Sequence, residues 1–315
     1  MILAGCGGDG ATVVVEQEIL AVEEFRADAE CTDCHVEIGE EWRGSGHADA
    51  DRLRRLSEEL GSEAVARLEA YYRPAAILAR DDPSRPPAAR SVFQQRGVDC
   101  ISCHMDAQFR MHGTQGYDSP HKTMVDESLD TVKACIPCHG QGDELDQVTA
   151  WKEHGFDQAM LSCHSCHMLD TYRRLVQHWS MPNLPQRSSH SHGFRGPLDA
   201  VFVESAILLE VRQSAGQIQV DVTAQGIGHQ FPGLGFRQVV VRTQGRDASG
   251  QVLWQRDEII EESRGNRLQP NETRTFSYPA EEAVEVESTL LYKWTSQTPE
   301  SEAVVLQRAR LGDSL

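Results

Sequence analysis

Eight of the nine cysteines in this 315-residue chain stand in four copies of one pentapeptide, Cys-x-x-Cys-His. They are Cys31-Thr32-Asp33-Cys34-His35, Cys100-Ile101-Ser102-Cys103-His104, Cys135-Ile136-Pro137-Cys138-His139 and Cys163-His164-Ser165-Cys166-His167. At the chain's own residue frequencies roughly 0.01 such pentapeptides arise by chance, so the repetition is chemical. Two thiols at this spacing can each add to one of the two vinyl groups of a single haem. The His that follows is then held under the ring, where its neutral imidazole ligates the iron. The pattern calls for four covalently bound c-type haems, with His35, His104, His139 and His167 as proximal ligands.

Three other uses of paired cysteines fit less well. A zinc knuckle gathers four ligands and does not place a His directly after every second Cys. A thioredoxin-like redox pair opens a helix in a βαβ pattern, and none surrounds these motifs. A disulfide framework leaves the fourfold His without a purpose.

Composition limits the partners. The formal net charge is -18, and without an excess of Lys and Arg to displace counterions from phosphates, nucleic-acid binding is not expected. An acidic surface suits basic redox partner proteins. No run of 18 apolar residues is present to span a membrane. Haem attachment to Cys-x-x-Cys-His takes place after export, so a periplasmic or cell-surface protein is expected. The ninth cysteine, Cys6, follows Leu3-Ala4-Gly5, which looks like the lipobox of a bacterial lipoprotein, although the charged and apolar stretches that precede such a site are almost absent. Cys6 is the expected lipid anchor and Gly7-Gly8-Asp9-Gly10 the tether.

The elements that must position the motifs divide near residue 199. All four motifs precede it, and no Cys occurs after Cys166. Leu53, Leu56, Leu60, Val65 and Leu68 recur at helical spacing, and Asp82-Pro83-Ser84-Arg85-Pro86-Pro87 breaks the pattern. Beyond residue 199 the period becomes two. Ile218, Val220 and Val222 alternate with polar residues, and further strands are expected at Phe202 to Val211, Arg237 to Thr243, Val252 to Gln255, Thr273 to Tyr278, Ser288 to Trp294 and Ala303 to Gln307. Asp247-Ala248-Ser249-Gly250 is the expected hairpin turn. The organisation predicted is a lipoprotein-like N-terminus and tether over 1–25, a mainly α or irregular tetrahaem cytochrome c domain over 26–198, and a C-terminal antiparallel β-sandwich over 199–315.

Beyond the motif histidines there are nine others: His47, His112, His121, His154, His164, His178, His190, His192 and His229. Haems dedicated to electron transfer usually carry a second strong axial ligand, so four of the nine are needed. Spacing does not select them. Their context resembles multihaem cytochromes akin to the tetrahaem electron acceptor of hydroxylamine oxidoreductase. The similarity lies in Trp42-Arg43-Gly44-Ser45-Gly46-His47-Ala48 after the first motif, Ser119-Pro120-His121 before the third, His190-Ser191-His192-Gly193-Phe194-Arg195-Gly196 after the fourth, and Gly228-His229-Gln230-Phe231-Pro232 in the β region. The resemblance implies His47, His121, His192 and His229 as distal ligands, with His112 in reserve. Two departures stand out: Tyr71-Tyr72-Arg73-Pro74 replaces a further Cys-x-x-Cys-His found in relatives with more haems, and Pro232-Gly233-Leu234 replaces a Pro-Thr-Gly.

The expected function is electron transfer between respiratory redox partners, as in anaerobic respiration, through closely packed and mostly bis-His haems. One five-coordinate haem would instead make the protein a reductase or oxidase of a small nitrogen or sulfur compound. A haem-stacking filament or complex subunit is the third possibility.

Overall fold

The computed structural model describes residues 19–20, 31–49, 76–77, 87–90, 97–106, 108, 110–116, 121–140, 146–159, 161–280 and 283–312. Cys6, the expected helix over Leu53 to Leu68, and Tyr71-Tyr72-Arg73-Pro74 lie outside the described residues.

Each Cys-x-x-Cys-His motif forms one helical turn: α1 (Cys31–Cys34), α3 (Cys100–His104), α4 (Ile136–His139) and α6 (Cys163–His167). At 3.6 residues per turn, positions three and four apart share a face, so both thiols and the His that follows project to one side. The caps suit such short elements. Asp99 accepts from the Ser102 amide at 3.2 Å while the Ser102 hydroxyl accepts from the Asp99 amide, also at 3.2 Å, a reciprocal capping box at the start of α3. Pro137 occupies the first turn of α4, where its missing N–H costs nothing.

Between the motifs stand α2 (Val36–Arg43) and α5 (Val148–Glu153). Two small sheets join them: β4 (Met111–Gly113) parallel to β5 (Thr123–Val125), and β6 (Asp170–Arg174) antiparallel to β7 (Gln186–His190). A third brings together β1 (Ile19–Leu20), β2 (Ala76–Ile77) and β3 (Ala88–Arg90) in the order β1-β3-β2. Among the described residues, the region expected to be mainly α or irregular is a set of one- and two-turn helices and short strands. From the second motif to the fourth, closely spaced motifs and Gly and Pro punctuation keep the described helices to one or two turns.

α7 (Ala200–Ala206) leads into the β region. It stands where the first half of the Phe202 to Val211 strand was expected. Phe202, Val203, Ala206 and Ile207 recur at helical spacing, and the Asp199 carboxylate accepts from the Phe202 amide at 3.0 Å, capping a helix rather than starting a strand. Seven strands follow: β8 (Leu208–Ser214), β9 (Gln217–Thr223), β10 (Gln238–Arg246), β11 (Val252–Glu261), β12 (Thr273–Pro279), β13 (Glu285–Lys293) and β14 (Val304–Arg310). They form two antiparallel sheets, ordered β11-β10-β13-β14 and β12-β9-β8.

One apolar core joins the two sheets. Val220 and Val222 from β9 meet Val239 and Val241 from β10, Ile260 from β11 and Leu290 from β13, all fully buried. At about 25 cal/mol per Å² of apolar surface removed from water, this layer is the main source of stability in the region. The Gln307 amide stitches the sheets at one edge, accepting from the Leu209 amide at 2.9 Å and donating to the Ile207 carbonyl. Asp247–Gly250 is the turn between β10 and β11, its Asp247 side chain accepting from the amides of Ser249 and Gln251. At the bulge between Gly245 and Arg246 the Trp254 indole lies where a Cβ on Gly245 would sit, 2.2 Å from the nearest ring atom, so only glycine fits.

Candidate functional site

The motif turns face a shared cavity of about 2060 Å³, larger than the roughly 300–1,000 Å³ of an ordinary ligand pocket. Its walls carry cysteines and histidines from all four motifs. Across it each motif histidine meets one other imidazole. Ring centroids are 6.3 Å apart for His35 and His121, 6.1 Å for His47 and His139, 6.1 Å for His104 and His192, and 6.2 Å for His167 and His229. An imidazole whose nitrogen lies roughly 2.0–2.1 Å from a metal ion has its centroid roughly 3.1–3.2 Å away, so two imidazoles trans across one ion stand roughly 6.2–6.4 Å apart. The four pairs, at 6.1–6.3 Å, lie within about 0.1 Å of that separation, and the open cavity between their elements leaves room for planar groups between them.

The imidazoles are held by their outer nitrogens. Nδ1–H of His35 donates to the Leu175 carbonyl at 2.7 Å, that of His104 to the His112 carbonyl at 3.0 Å, and that of His167 to the Arg195 carbonyl at 2.6 Å. Among the opposing histidines, Nδ1–H of His192 donates to the His190 carbonyl at 3.0 Å and that of His229 to the Gln230 carbonyl at 2.9 Å, while Nδ1 of His121 shares a hydrogen bond of 3.1 Å with the Thr123 hydroxyl, in which either group can donate. Donation from Nδ1 selects the tautomer whose Nε2 is bare, the form that binds a metal. Burial, the largest influence, pushes the basicity of His47, His192 and His229 down to about 4 and that of His139 to about 3, so these rings are neutral near pH 7.

His47 is fixed through its backbone. The Val98 amide donates to the His47 carbonyl at 2.8 Å and the Trp42 indole to the Val98 carbonyl at 2.9 Å. Gly97, at φ +71°, passes so close that a Cβ there would lie 2.3 Å from the His47 oxygen. Phe194 stands between two of the pairs. Its ring is edge-on to His47 at 4.2 Å and to His192 at 6.0 Å. Its φ of 44° is a strained conformation for a non-glycine residue. His192 is further held by Glu41, whose carboxylate accepts from the His192 amide at 2.8 Å and from both ends of the Arg173 guanidinium at 2.7 and 3.0 Å.

The thiols of successive motifs lie near one another. Cys31 and Cys100 are in hydrogen-bonding contact, as are Cys135 and Cys163, and Cys103 lies within electrostatic reach of Cys135 and Cys138. Burial pushes the Cys138 thiol up to about 12.

His112, the reserve ligand, is turned elsewhere. Its Nε2–H donates to the Asp106 carboxylate at 2.8 Å and its Nδ1 lies 3.7 Å from that of Asp126. Parallel pairing of β4 with β5 directs the side chain to this acidic pocket and leaves only the carbonyl for His104. Of the remaining histidines, His164 is buried with its ring 5.0 Å from that of His190. His190 meets Asp130 at 2.8 Å, His154 bonds the Ala150 carbonyl at 2.9 Å, and His178 bonds Ser180 at 2.6 Å. Sequence reasoning did not single out Glu41, Arg173 or the backbone carbonyls that orient the rings, since only the tertiary structure brings them to the histidines.

No protein-family model matches the chain, and no curated protein matches it. Among solved structures it is similar to a penta-haem cytochrome c552 from Thermochromatium tepidum, with a TM-score of 0.58 at 19% identity over 89% of this chain and 97% of that one. The two chains share a fold. That likeness spans both the motif-bearing region and the β-sheets, while this chain carries four Cys-x-x-Cys-His pentapeptides. Among the described residues no helix is long and apolar enough to cross a membrane.

Proposed function

We propose that this chain is an exported tetrahaem c-type cytochrome that passes electrons between redox partner proteins. The observation that carries the proposal is the set of four imidazole pairs, each joining one motif histidine to one other histidine at 6.1–6.3 Å. Cys31, Cys34, Cys100, Cys103, Cys135, Cys138, Cys163 and Cys166 would hold four haems through thioethers. His35, His104, His139 and His167 would ligate one face of each iron, with His121, His192, His47 and His229 respectively on the other. Haem iron with two imidazoles supplies reversible one-electron exchange with little rearrangement. The protein binds, orients and tunes rather than making bonds.

Contacts between successive motifs support an arrangement in which spatial order follows chain order. Hydrogen-bonding contact of Cys31 with Cys100 and of Cys135 with Cys163, and the electrostatic influence of Cys103 on Cys138, bring neighbouring attachment sites together. The pairs His35/His121 and His167/His229 would stand at the two ends, where a donor and an acceptor protein dock. The acidic chain favours basic partners by electrostatic steering. Cys6 remains the proposed site of lipid attachment.

The mass of exported protein tests the proposal, with four haems above the bare polypeptide expected and three in a Cys135→Ala/Cys138→Ala variant. Electron paramagnetic resonance should show low-spin iron only. A mass equal to the polypeptide alone refutes the assignment, and a high-spin signal that responds to nitrite or hydroxylamine makes the protein an enzyme instead.

A further inference from the structure

Arg237 is a buried cation that no carboxylate of the described residues neutralises. The residue is 8% exposed. Its guanidinium carbon lies 4.7 Å from the ring centroids of both Phe236 and Trp294, and its Nη1 donates to the Trp294 carbonyl at 2.9 Å. Its Nε is buried without a hydrogen-bond partner. Arg173, Arg195, Arg242 and Arg267 each hold a carboxylate. Aromatic faces and one carbonyl offset part of the charge, yet a guanidinium out of water without an anion is costly, and its unpartnered Nε–H is a donor that an anion can take.

The position of Arg237 shows where that anion would come from. His229, Phe231, Gly233, Leu234 and Arg237 all line the cavity, the Arg237 amide donates to the Leu234 carbonyl at 2.9 Å, and Gly233 packs so closely on His229 that a Cβ there would lie 3.1 Å from the ring. Resting on the haem assignment above, we propose that Arg237 is the counter-cation for a propionate carboxylate of the haem seated between His167 and His229. Planar N–H donors match a carboxylate in two-point geometry. The contact clamps the β-sheets to the cofactor, in addition to His229 itself. It also raises that haem's reduction potential, because a neutralised propionate no longer favours the ferric state. A free small anion has the same chemistry, so the test separates the two.

Redox titration of the four-haem protein at pH 7 decides. Arg237→Gln should lower one of the four potentials by about tenfold in its reduction equilibrium constant, ~59 mV for a one-electron couple. Arg237→Lys should recover most of that shift. The affected haem should be the one moved by His229→Met, and its propionate-bending band in resonance Raman spectra should move in Arg237→Gln. Four unchanged potentials, or a shift spread evenly over all four, overturn the proposal. So does a wild-type potential that follows added acetate or nitrite and ceases to do so in Arg237→Gln, which assigns the site to a free anion. Absence of haem by mass and Soret absorption refutes the haem assignment itself, a different outcome from any of these.

Discussion

Replacing Glu41 by Ala removes the residue that ties the His192 segment to the first motif. Its carboxylate receives two guanidinium N–H bonds from Arg173 at 2.7 and 3.0 Å and the His192 amide at 2.8 Å. The Arg173 side chain is 10% exposed and that of Glu41 30%. Removing one partner of a fully buried pair costs roughly 3–5 kcal/mol, while exposed pairs contribute about 1 kcal/mol or less. With the arginine buried and the carboxylate partly wet, a loss of about 2–3 kcal/mol is expected. Arg173 keeps the His190 carbonyl at 2.8 Å, which limits the loss. A double-mutant cycle with Arg173→Met, followed by denaturant unfolding at the Soret band, should return a coupling of about 1–2 kcal/mol. The loss should depend on pH. Burial works to raise the Glu41 carboxyl, but hydrogen bonds and charge from Arg173 outweigh it and hold the group below its ordinary value. Its contribution is therefore complete above the unfolded glutamate value and disappears as pH falls through the lower, folded one. A cycle with no coupling at pH 7, or a loss that grows on acidification, refutes the account of this network.

Single His→Met replacements at His47, His121, His192 and His229 should each raise one haem potential by at least tenfold in its reduction equilibrium constant, ~59 mV, and leave three in place, whereas His112→Met should leave all four axial ligations intact by optical spectroscopy. Asp199→Ala removes the α7 cap and the partner of Arg195, whose Nε bonds Asp199 at 2.6 Å. A loss of about 1–2 kcal/mol is expected in denaturant unfolding, and the His167 haem should be disturbed through the Arg195 carbonyl. Leu290→Ala, at a fully buried position of β13, should cost about 2–5 kcal/mol and lower the thermal midpoint of the β region without altering the haem spectrum.

Much of the fold was legible wherever a local period was strong. Ile218, Val220 and Val222 announce β9 by alternation, and the turn at Asp247–Gly250 follows from residues that bond their own backbone. The reading of Phe202 to Val211 as one strand missed α7, because a short apolar run serves helix and strand equally until Asp199 is seen to cap it. The small sheets among the motifs had no readable signal. Their strands are three to five residues long and are held by neighbours remote in sequence.

Attachment chemistry is local. A thiol, a second thiol three positions on and the next histidine share one helical turn whatever surrounds them, so the sequence alone is enough to propose the cysteines and the motif histidines as the attachment residues. The partner of each motif histidine is a long-range fact. His167 faces His229 and His104 faces His192 only because separate segments converge on one cavity, and spacing along the chain carries no record of that convergence. Resemblance selected four histidines without pairing them. The pairing, the carbonyls that set the tautomers of His35, His104, His167, His192 and His229, the diversion of His112 to Asp106 and the lack, among the described residues, of a carboxylate for Arg237 all follow from packing, which decides how close groups stand and which of them are removed from water.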